Sequence, residues 1–163
     1  MSNKILNAAV ATAAVFMCAS ASARNNDLEK FDFEHVSCTG VENEIRIRIK
    51  GVKKSVGLIA ADLYPNDEEA FLKGPMRIKQ VRFAAKSPVT TFCIDAPEAG
   101  DFAIALYHDQ NANGRFDKGP FGMPAEPWGI SNNPKVRFSA PPVSQALFNV
   151  NGQQGAKVEI KLN

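Results

Sequence analysis

The sequence predicts an all-β protein, an antiparallel β-sandwich of about seven strands of the immunoglobulin or transthyretin type. Short runs alternate between apolar and polar residues, which is the period of a strand with one buried face. Turn-forming Gly, Pro, Asn and Asp separate these runs at short intervals, as in sandwiches built from many short strands.

The clearest strand covers residues 45–50, where three isoleucines alternate with Arg46, Arg48 and Lys50. The other predicted strands are, in chain order, 56–63, 78–84, 89–94, 102–107, a short edge strand at 136–138, and 157–162. One or two short helical turns are also expected, at 67–73 with Asn66 as the N-cap, and at 142–148.

Residues 1–23 have the pattern of a cleaved signal peptide. Lys4 supplies a positive start, residues 8–17 are almost wholly apolar, and Ala21-Ser22-Ala23 is a small-x-small cleavage motif. The apolar run is too short for a comfortable membrane span. A retained N-terminal anchor is one alternative, and a lipoprotein modified at Cys18 is another, although bulky residues precede Cys18.

Cleavage after Ala23 leaves a flexible lead-in at 24–36 and a single β-sandwich domain at 37–163. We therefore expect an exported protein, periplasmic or extracellular, with no transmembrane segment once the leader is removed. A formal net charge of +2 gives no reason to expect a nucleic-acid partner. The oligomeric state is not predicted by the sequence.

Outside the leader the sequence has two cysteines, Cys38 and Cys93. Two cysteines in an exported domain most simply form a disulfide. In the chain-entropy view such a bridge stabilises the fold by roughly 4 kcal/mol. Two buried free thiols are the alternative.

The connection from Asp109 to Pro134 is long for a loop without secondary structure, and such loops are usually functional. Its first nine residues follow the start of a calcium-loop pattern, with the turn glycine Gly114 at position 6. The candidate ligands are the side chains of Asp109, Asn111, Asn113 and Asp117, the carbonyl of Arg115, and Glu126 as a substitute acid. Calcium is therefore the one cofactor that the sequence suggests.

A metal-free loop is the alternative, and it is favoured because position 12 is Pro120 instead of an acid. Asp and Asn side chains accept hydrogen bonds from backbone NH groups two residues on, so the same string forms a series of turns without a cation. In this interpretation Asp117 receives backbone amides and Glu126 pairs with Arg115. If calcium does bind, we expect weak affinity because only two carboxylates are certain.

Other residues of this segment suggest two further roles. Tyr107, Phe121 and Trp128 are candidates for an aromatic platform that binds a protein, a glycan or a small molecule, although closure of the loop's own small core is the commoner use of such residues. His108, with Asp109 and Glu126, is a candidate for hydrolase-type acid–base chemistry. A strand-end histidine bonded to the folded-back loop is the simpler interpretation of His108.

Four segments of the second half resemble the signature of a bacterial family, domain of unknown function 2141. They are the string from Tyr107 to Asp117, the string Gly-Met-Pro-Ala-Glu-Pro-Trp-Gly at 122–129, Ile-Ser-Asn-Asn at 130–133, and the double proline at 141–142 with Ala146 and Phe148. Pro127 stands where the family usually has glycine. The resemblance implies an exported β-sandwich akin to transthyretin-like and carboxypeptidase-regulatory domains, with no established activity.

From the residues and the resemblance together we expect no catalysis. The sequence contains no nucleophile elbow and no phosphate-binding loop. The predicted function is a binding or envelope-structural module whose 109–134 loop is the working part, with the hydrolase as the alternative.

Overall fold

The computed structural model describes residues 38–137 and 139–163. Eight strands are present, in chain order β1 (Glu44–Lys50), β2 (Leu58–Pro65), β3 (Lys79–Ala84), β4 (Val89–Asp95), β5 (Gly100–Asp109), β6 (Trp128–Ile130), β7 (Phe148–Val150) and β8 (Ala156–Lys161). Single 3-10 turns lie at Gly74–Met76, Pro120–Gly122 and Val143–Gln145. The predicted leader at 1–23 and lead-in at 24–36 lie outside the described residues.

The strands form two sheets, which confirms the predicted all-β sandwich. The smaller sheet has the order β4-β1-β8, and the larger has the order β3-β2-β5-β6 with β7 also paired to β5. All pairs are antiparallel except β1 with β8, which run parallel. The count is eight strands instead of about seven because the predicted edge strand at 136–138 is not formed at 136 and 137, while two strands of three residues each, β6 and β7, are too short for alternation to reveal them.

The main core lies between the two sheets and is built by the predicted alternation. Ile45, Ile47 and Ile49 of β1 are completely buried, while Arg46 and Arg48 between them point outward. The larger sheet contributes alternate residues of β2 and β5 to the same cluster, among them Ile59, Leu63, Phe102, Ile104 and Leu106. At about 25 cal/mol per Å² of buried apolar area, this cluster is the principal source of stability.

The larger sheet is buried on its outer face as well. A second apolar cluster covers that face and consists of Tyr64, Phe71, Ala103, Ile130, Val143 and Ala146. The stretch before the first 3-10 turn supplies Phe71, and the last 3-10 turn and the residue after it supply Val143 and Ala146, so these irregular stretches act as a third layer over the strands. Burial on both faces explains why β2 is more continuously apolar than β1.

The predicted disulfide between Cys38 and Cys93 is formed, with 5.2 Å between the two Cα atoms. It fastens the segment that enters β1 to the neighbouring strand β4. Beside it, the Glu44 carboxylate accepts the backbone NH groups of Thr39 (2.7 Å) and Gly40 (3.1 Å). The bridge closes a separation of 55 residues, for which the chain-entropy account gives about 4 kcal/mol.

The helical turn expected at 67–73 is present as a hydrogen-bonded turn and not as a regular helix. Residues 68–72 form the turn, in which the carbonyl of Asp67 accepts the NH of Phe71, and a 3-10 turn follows at Gly74–Met76. Asp67, and not Asn66, caps the turn, because its Oδ1 accepts the NH of Glu69 at 2.7 Å. Leu72 then takes a positive φ of 61°, which ends the helical path.

Two further predicted elements are corrected. The helical segment at 142–148 shrinks to the 3-10 turn Val143–Gln145, and Phe148 begins β7. The predicted edge strand at 136–138 is not formed at residues 136 and 137, and residue 138 lies outside the described residues. Within the described ranges, no helix has the length and apolar character that crossing a bilayer requires.

Candidate functional site

The segment 109–134, called the flap below, leaves the end of β5 and folds back onto it. Its return limb forms β6, in which Trp128 lies opposite Tyr107 of β5. The NH of His108 donates to the carbonyl of Pro127 at 2.8 Å. The flap is therefore an ordered extension of the larger sheet, as the sequence predicted.

Asp109 is the last residue of β5, and its side chain organises the first turn of the flap. Asp109 is completely buried. One carboxylate oxygen accepts the NH of Asn113 at 3.0 Å, and the other accepts the NH of Gly114 at 2.8 Å. Gly114 has a φ of 77°, so the glycine expected at position 6 of the loop makes the turn that points these NH groups inward.

Glu126, on the return limb of the flap, also accepts two backbone NH groups. Its Oε1 accepts the NH of Gln110 and its Oε2 accepts the NH of Asp117, each at 3.1 Å. The buried carboxylate therefore joins both limbs of the first loop to the return limb. Burial raises the pKa of Glu126, and the two NH donors, from Asp117 and Gln110, oppose that rise.

Asp117 accepts side-chain amides instead of backbone NH groups. Asn111 Nδ2 donates to its carboxylate at 2.8 Å, and Asn113 Nδ2 donates to the same carboxylate at 2.9 Å. These bonds, first that from Asn113, lower the pKa of Asp117 below its ordinary value. The two asparagine oxygens are also occupied, because they accept the NH groups of Asn113 (3.1 Å) and Arg115 (2.8 Å).

The residues predicted to bind calcium are thus brought together, but they bind one another. The three carboxylates of Asp109, Asp117 and Glu126 do not all come within 4.8 Å of each other. The predicted pairing of Glu126 with Arg115 is not formed among the described residues, since Arg115 is exposed and Glu126 is occupied by backbone NH groups. The metal-free interpretation assigned backbone amides to Asp117, whereas Asp109 and Glu126 are the carboxylates that receive them.

His108 lies on the inner face of β5 and is completely buried. Its Nε2 donates to the carbonyl of Val56 at 2.7 Å, which joins the end of β5 to the segment before β2. The donor must be Nε2–H, because a carbonyl only accepts. Nδ1 is buried without a hydrogen-bond partner in the described part of the chain.

Near His108, the backbone at Gly57 lies very close to the backbone at Asp109, where the flap begins. Gly57 has a φ of 66°, and a Cβ built there would lie 2.0 Å from the carbonyl oxygen of Asp109. Only glycine fits this position, because any side chain would overlap the backbone where the flap begins. His108 and Gly57 together fix the direction in which the flap leaves the sheet.

The three candidate platform aromatics do not form one surface. Tyr107 is buried and lies 5.1 Å from Phe116, measured between ring centroids. Trp128 is half-buried against the second apolar cluster. Phe121 lies at the tip of the flap and its side chain is fully exposed, at 103% of the reference area, so it touches neither ring.

Two residues that hold the flap were not predicted. Arg82 of β3 donates from Nη2 to the carbonyl of Gly114 at 3.0 Å, so a neighbouring strand reaches the turn. Ser131 is completely buried, accepts the NH of Ile104 (3.0 Å), and donates to the carbonyl of Ala146. A serine before two asparagines suggests a turn rather than a buried hydrogen-bonding group, and the position of Arg82 depends on the pairing of β3 with β2.

We predict that Asp109→Asn destabilises the protein by about 2 kcal/mol, because one backbone NH loses its anionic acceptor and meets an amide NH₂. Urea unfolding of the variant measures the loss. Asp101→Asn is the matched control, because Asp101 is exposed and its side chain accepts a hydrogen bond from the exposed Asn149, so its change should stay within about 0.5 kcal/mol. Equal stability of the two variants would contradict the assigned role.

A family model described as "Uncharacterized protein conserved in bacteria (DUF2141)" matches residues 47–158. No curated protein and no solved structure matches the chain. The matched region contains β2 to β7 and the whole flap. The chain therefore belongs to this bacterial family, domain of unknown function 2141.

Proposed function

We propose that the protein is a non-catalytic binding module of the bacterial envelope that engages a partner protein through the tip of its flap, residues 119–125. The observation that carries the proposal is the exposure of Phe121 (103%) and Met123 (65%). No charged residue lies within the tip. Large apolar side chains on a protruding turn are a typical way to anchor a protein contact.

The tip is held in one conformation by its own backbone. Gly119 NH donates to the carbonyl of Met123 at 2.7 Å, and Ala125 NH donates to that of Asp117 at 2.9 Å. Lys118 and Pro124 form an isolated antiparallel bridge at its base. A preordered tip loses little conformational entropy when it binds, which favours affinity.

The conformation of Phe121 supports a role outside the fold. Its φ of 60° and ψ of 18° lie in the left-handed region, which costs a non-glycine residue about 1–2 kcal/mol. Because the side chain covers no other part of the molecule, burial does not offset that cost. A convex, uncharged projection of this kind fits an apolar pocket on a partner, whereas a glycan or small molecule offers no such pocket.

We propose no catalytic role for His108, Asp109 and Glu126, because their polar atoms form hydrogen bonds with the backbone. His108 donates to a backbone carbonyl, and both oxygens of Asp109 and of Glu126 accept backbone NH groups. His108 and Asp109 are completely buried, and Glu126 is nearly so. Export is supported by the leader motif and by the disulfide, which is typical of oxidising compartments.

Photo-crosslinking in intact cells tests the tip. With p-benzoylphenylalanine at position 121 we expect one discrete protein adduct that is absent when the probe replaces Glu98, an exposed residue before β5 at the opposite end of the sandwich. Phe121→Ser should weaken binding of the purified partner by about tenfold or more, with unfolding stability unchanged within about 0.5 kcal/mol. Identical adducts at both positions, or adducts to lipid alone, would overturn the proposal.

Weak calcium binding by residues 109–117 is the second candidate function. It is favoured by the convergence of the Asn111 and Asn113 amide groups on the Asp117 carboxylate within 2.9 Å. Rotation of both amides would direct their oxygens to the same point. That rotation breaks the bonds that these oxygens accept from the NH groups of Asn113 and Arg115, so we propose that the amides take the place of a cation.

A thermal melt in the presence of calcium distinguishes a loop that binds calcium from a loop in which the asparagine amides take the place of the cation. If calcium bound with a Kd of about 10⁻⁴–10⁻³ M, 10 mM calcium would stabilise the fold by roughly 1.4–2.7 kcal/mol and raise the melting temperature by several degrees. We expect no rise beyond that produced by magnesium at equal ionic strength. A calcium-specific rise that Asp117→Asn abolishes would establish the calcium site instead.

A further inference from the structure

A groove of about 540 Å³ lies where the edge strand β6 of the larger sheet approaches β8 of the smaller sheet. Its walls come from the end of the flap, from residues 133–137 and from the end of the chain beyond β8, and its main lining residues are Trp128, Ile130, Lys135, Val136, Arg137 and Lys161. Its volume is within the range of pockets that hold small-molecule ligands. The groove is distinct from the tip at 119–125.

The side chains that line the groove carry positive charge. Lys135, Arg137 and Lys161 line it, and no described lining residue has a carboxylate side chain. In the described part of the chain these three cations form no salt bridge, whereas the nearby Lys50 pairs with Glu159 at 2.7 Å. Together these three side chains carry a charge of +3, which exceeds the formal net charge of +2 of the whole chain.

The floor of the groove is apolar and flat. Ile130 is buried, and Trp128 and Val136 are half-exposed, so part of the indole is available to a ligand. Trp and other aromatic rings offer a large apolar face on which the ring of a ligand can stack. A ligand that fits must therefore combine negative charge with a ring that has an apolar face.

Both walls are fastened to β8 or its extension. Asn133 accepts the NH of Lys161 at 2.7 Å and donates from Nδ2 to the carbonyl of Glu159 at 2.9 Å. On the other side, the NH of Asn163 donates to the carbonyl of Trp128 at 2.9 Å. These bonds fix the backbone positions from which Trp128 and Lys161 extend, so the walls of the groove do not need a ligand to form.

We propose that this groove binds an acidic oligosaccharide, a chain of roughly two or three sugar rings that carry carboxylate or sulfate groups. Several anionic groups match the three cations, and a sugar ring stacks on Trp128. Inorganic phosphate would leave the apolar floor unused. A long nucleic acid would meet only these three cations on a nearly neutral protein.

Tryptophan fluorescence reports this site directly, because Trp128 is the only tryptophan of the sequence. We expect a saturable change in its emission on titration with trigalacturonic acid, a carboxylated probe, or with a heparin-derived tetrasaccharide, a sulfated probe. The stronger of the two responses identifies the anionic group. Neutral maltotriose should give no change, and added salt should weaken the response because the attraction is electrostatic.

Charge-matched variants make the test specific. Lys135→Gln with Arg137→Gln should weaken binding by about tenfold or more, while Lys53→Gln with Lys54→Gln removes the same charge from an exposed turn and should leave affinity within twofold. A melt of each variant verifies folding. The proposal is overturned by no response to either acidic probe at about 5 mM, by equal losses in both double variants, or by inorganic polyphosphate binding as tightly as the sugars.

Discussion

Two buried carboxylates determine how the flap lies on the sandwich. Asp109 and Glu126 each accept two backbone NH groups, and together they satisfy donors at both ends and in the turn of the first loop. A backbone NH that is removed from water without an acceptor is costly, so a loop of this length stays ordered only if such donors are bonded. The rigid tip and the return strand β6 both depend on these bonds.

The fold was predictable because alternation and turn residues are local signals. The β1 isoleucines and the pair Cys38 and Cys93 were read from the sequence and are confirmed. The helical turns expected at 67–73 and 142–148 are present as single turns, but their exact bounds did not follow from the sequence, since short apolar runs do not show where a turn ends until packing on the sheet is known. Strands as short as β6 and β7 are defined by their partner β5, not by their own pattern.

The flap was predicted in part. Its order, its turn at Gly114 and its fold-back follow from the sequence, because glycine and Asx residues have local conformational preferences. The partners of each oxygen did not follow, because the pairing of Glu126 with Gln110 and Asp117 requires the return limb to be in place. A sequence pattern of Asp, Asn and Glu residues therefore does not show whether their side-chain oxygens bind a cation or accept hydrogen bonds from backbone NH groups.

The same fold-back gives the molecule two different surfaces. At one end it projects the uncharged tip that carries Phe121, and at the other it places Trp128 beside Lys161 at the edge of the sandwich. The first surface is convex and apolar, and the second is concave and cationic. Each uses the sheet as a rigid support, and neither requires the flap to move.

Amide hydrogen exchange in protein stripped of metal by EDTA tests the capping of the flap most directly. We predict that the NH groups of Gln110, Asn113, Gly114 and Asp117 exchange far more slowly than in an unstructured peptide, and that added calcium does not change their rates. Exchange at the rate of an unstructured peptide, or protection that appears only with calcium, would contradict the account.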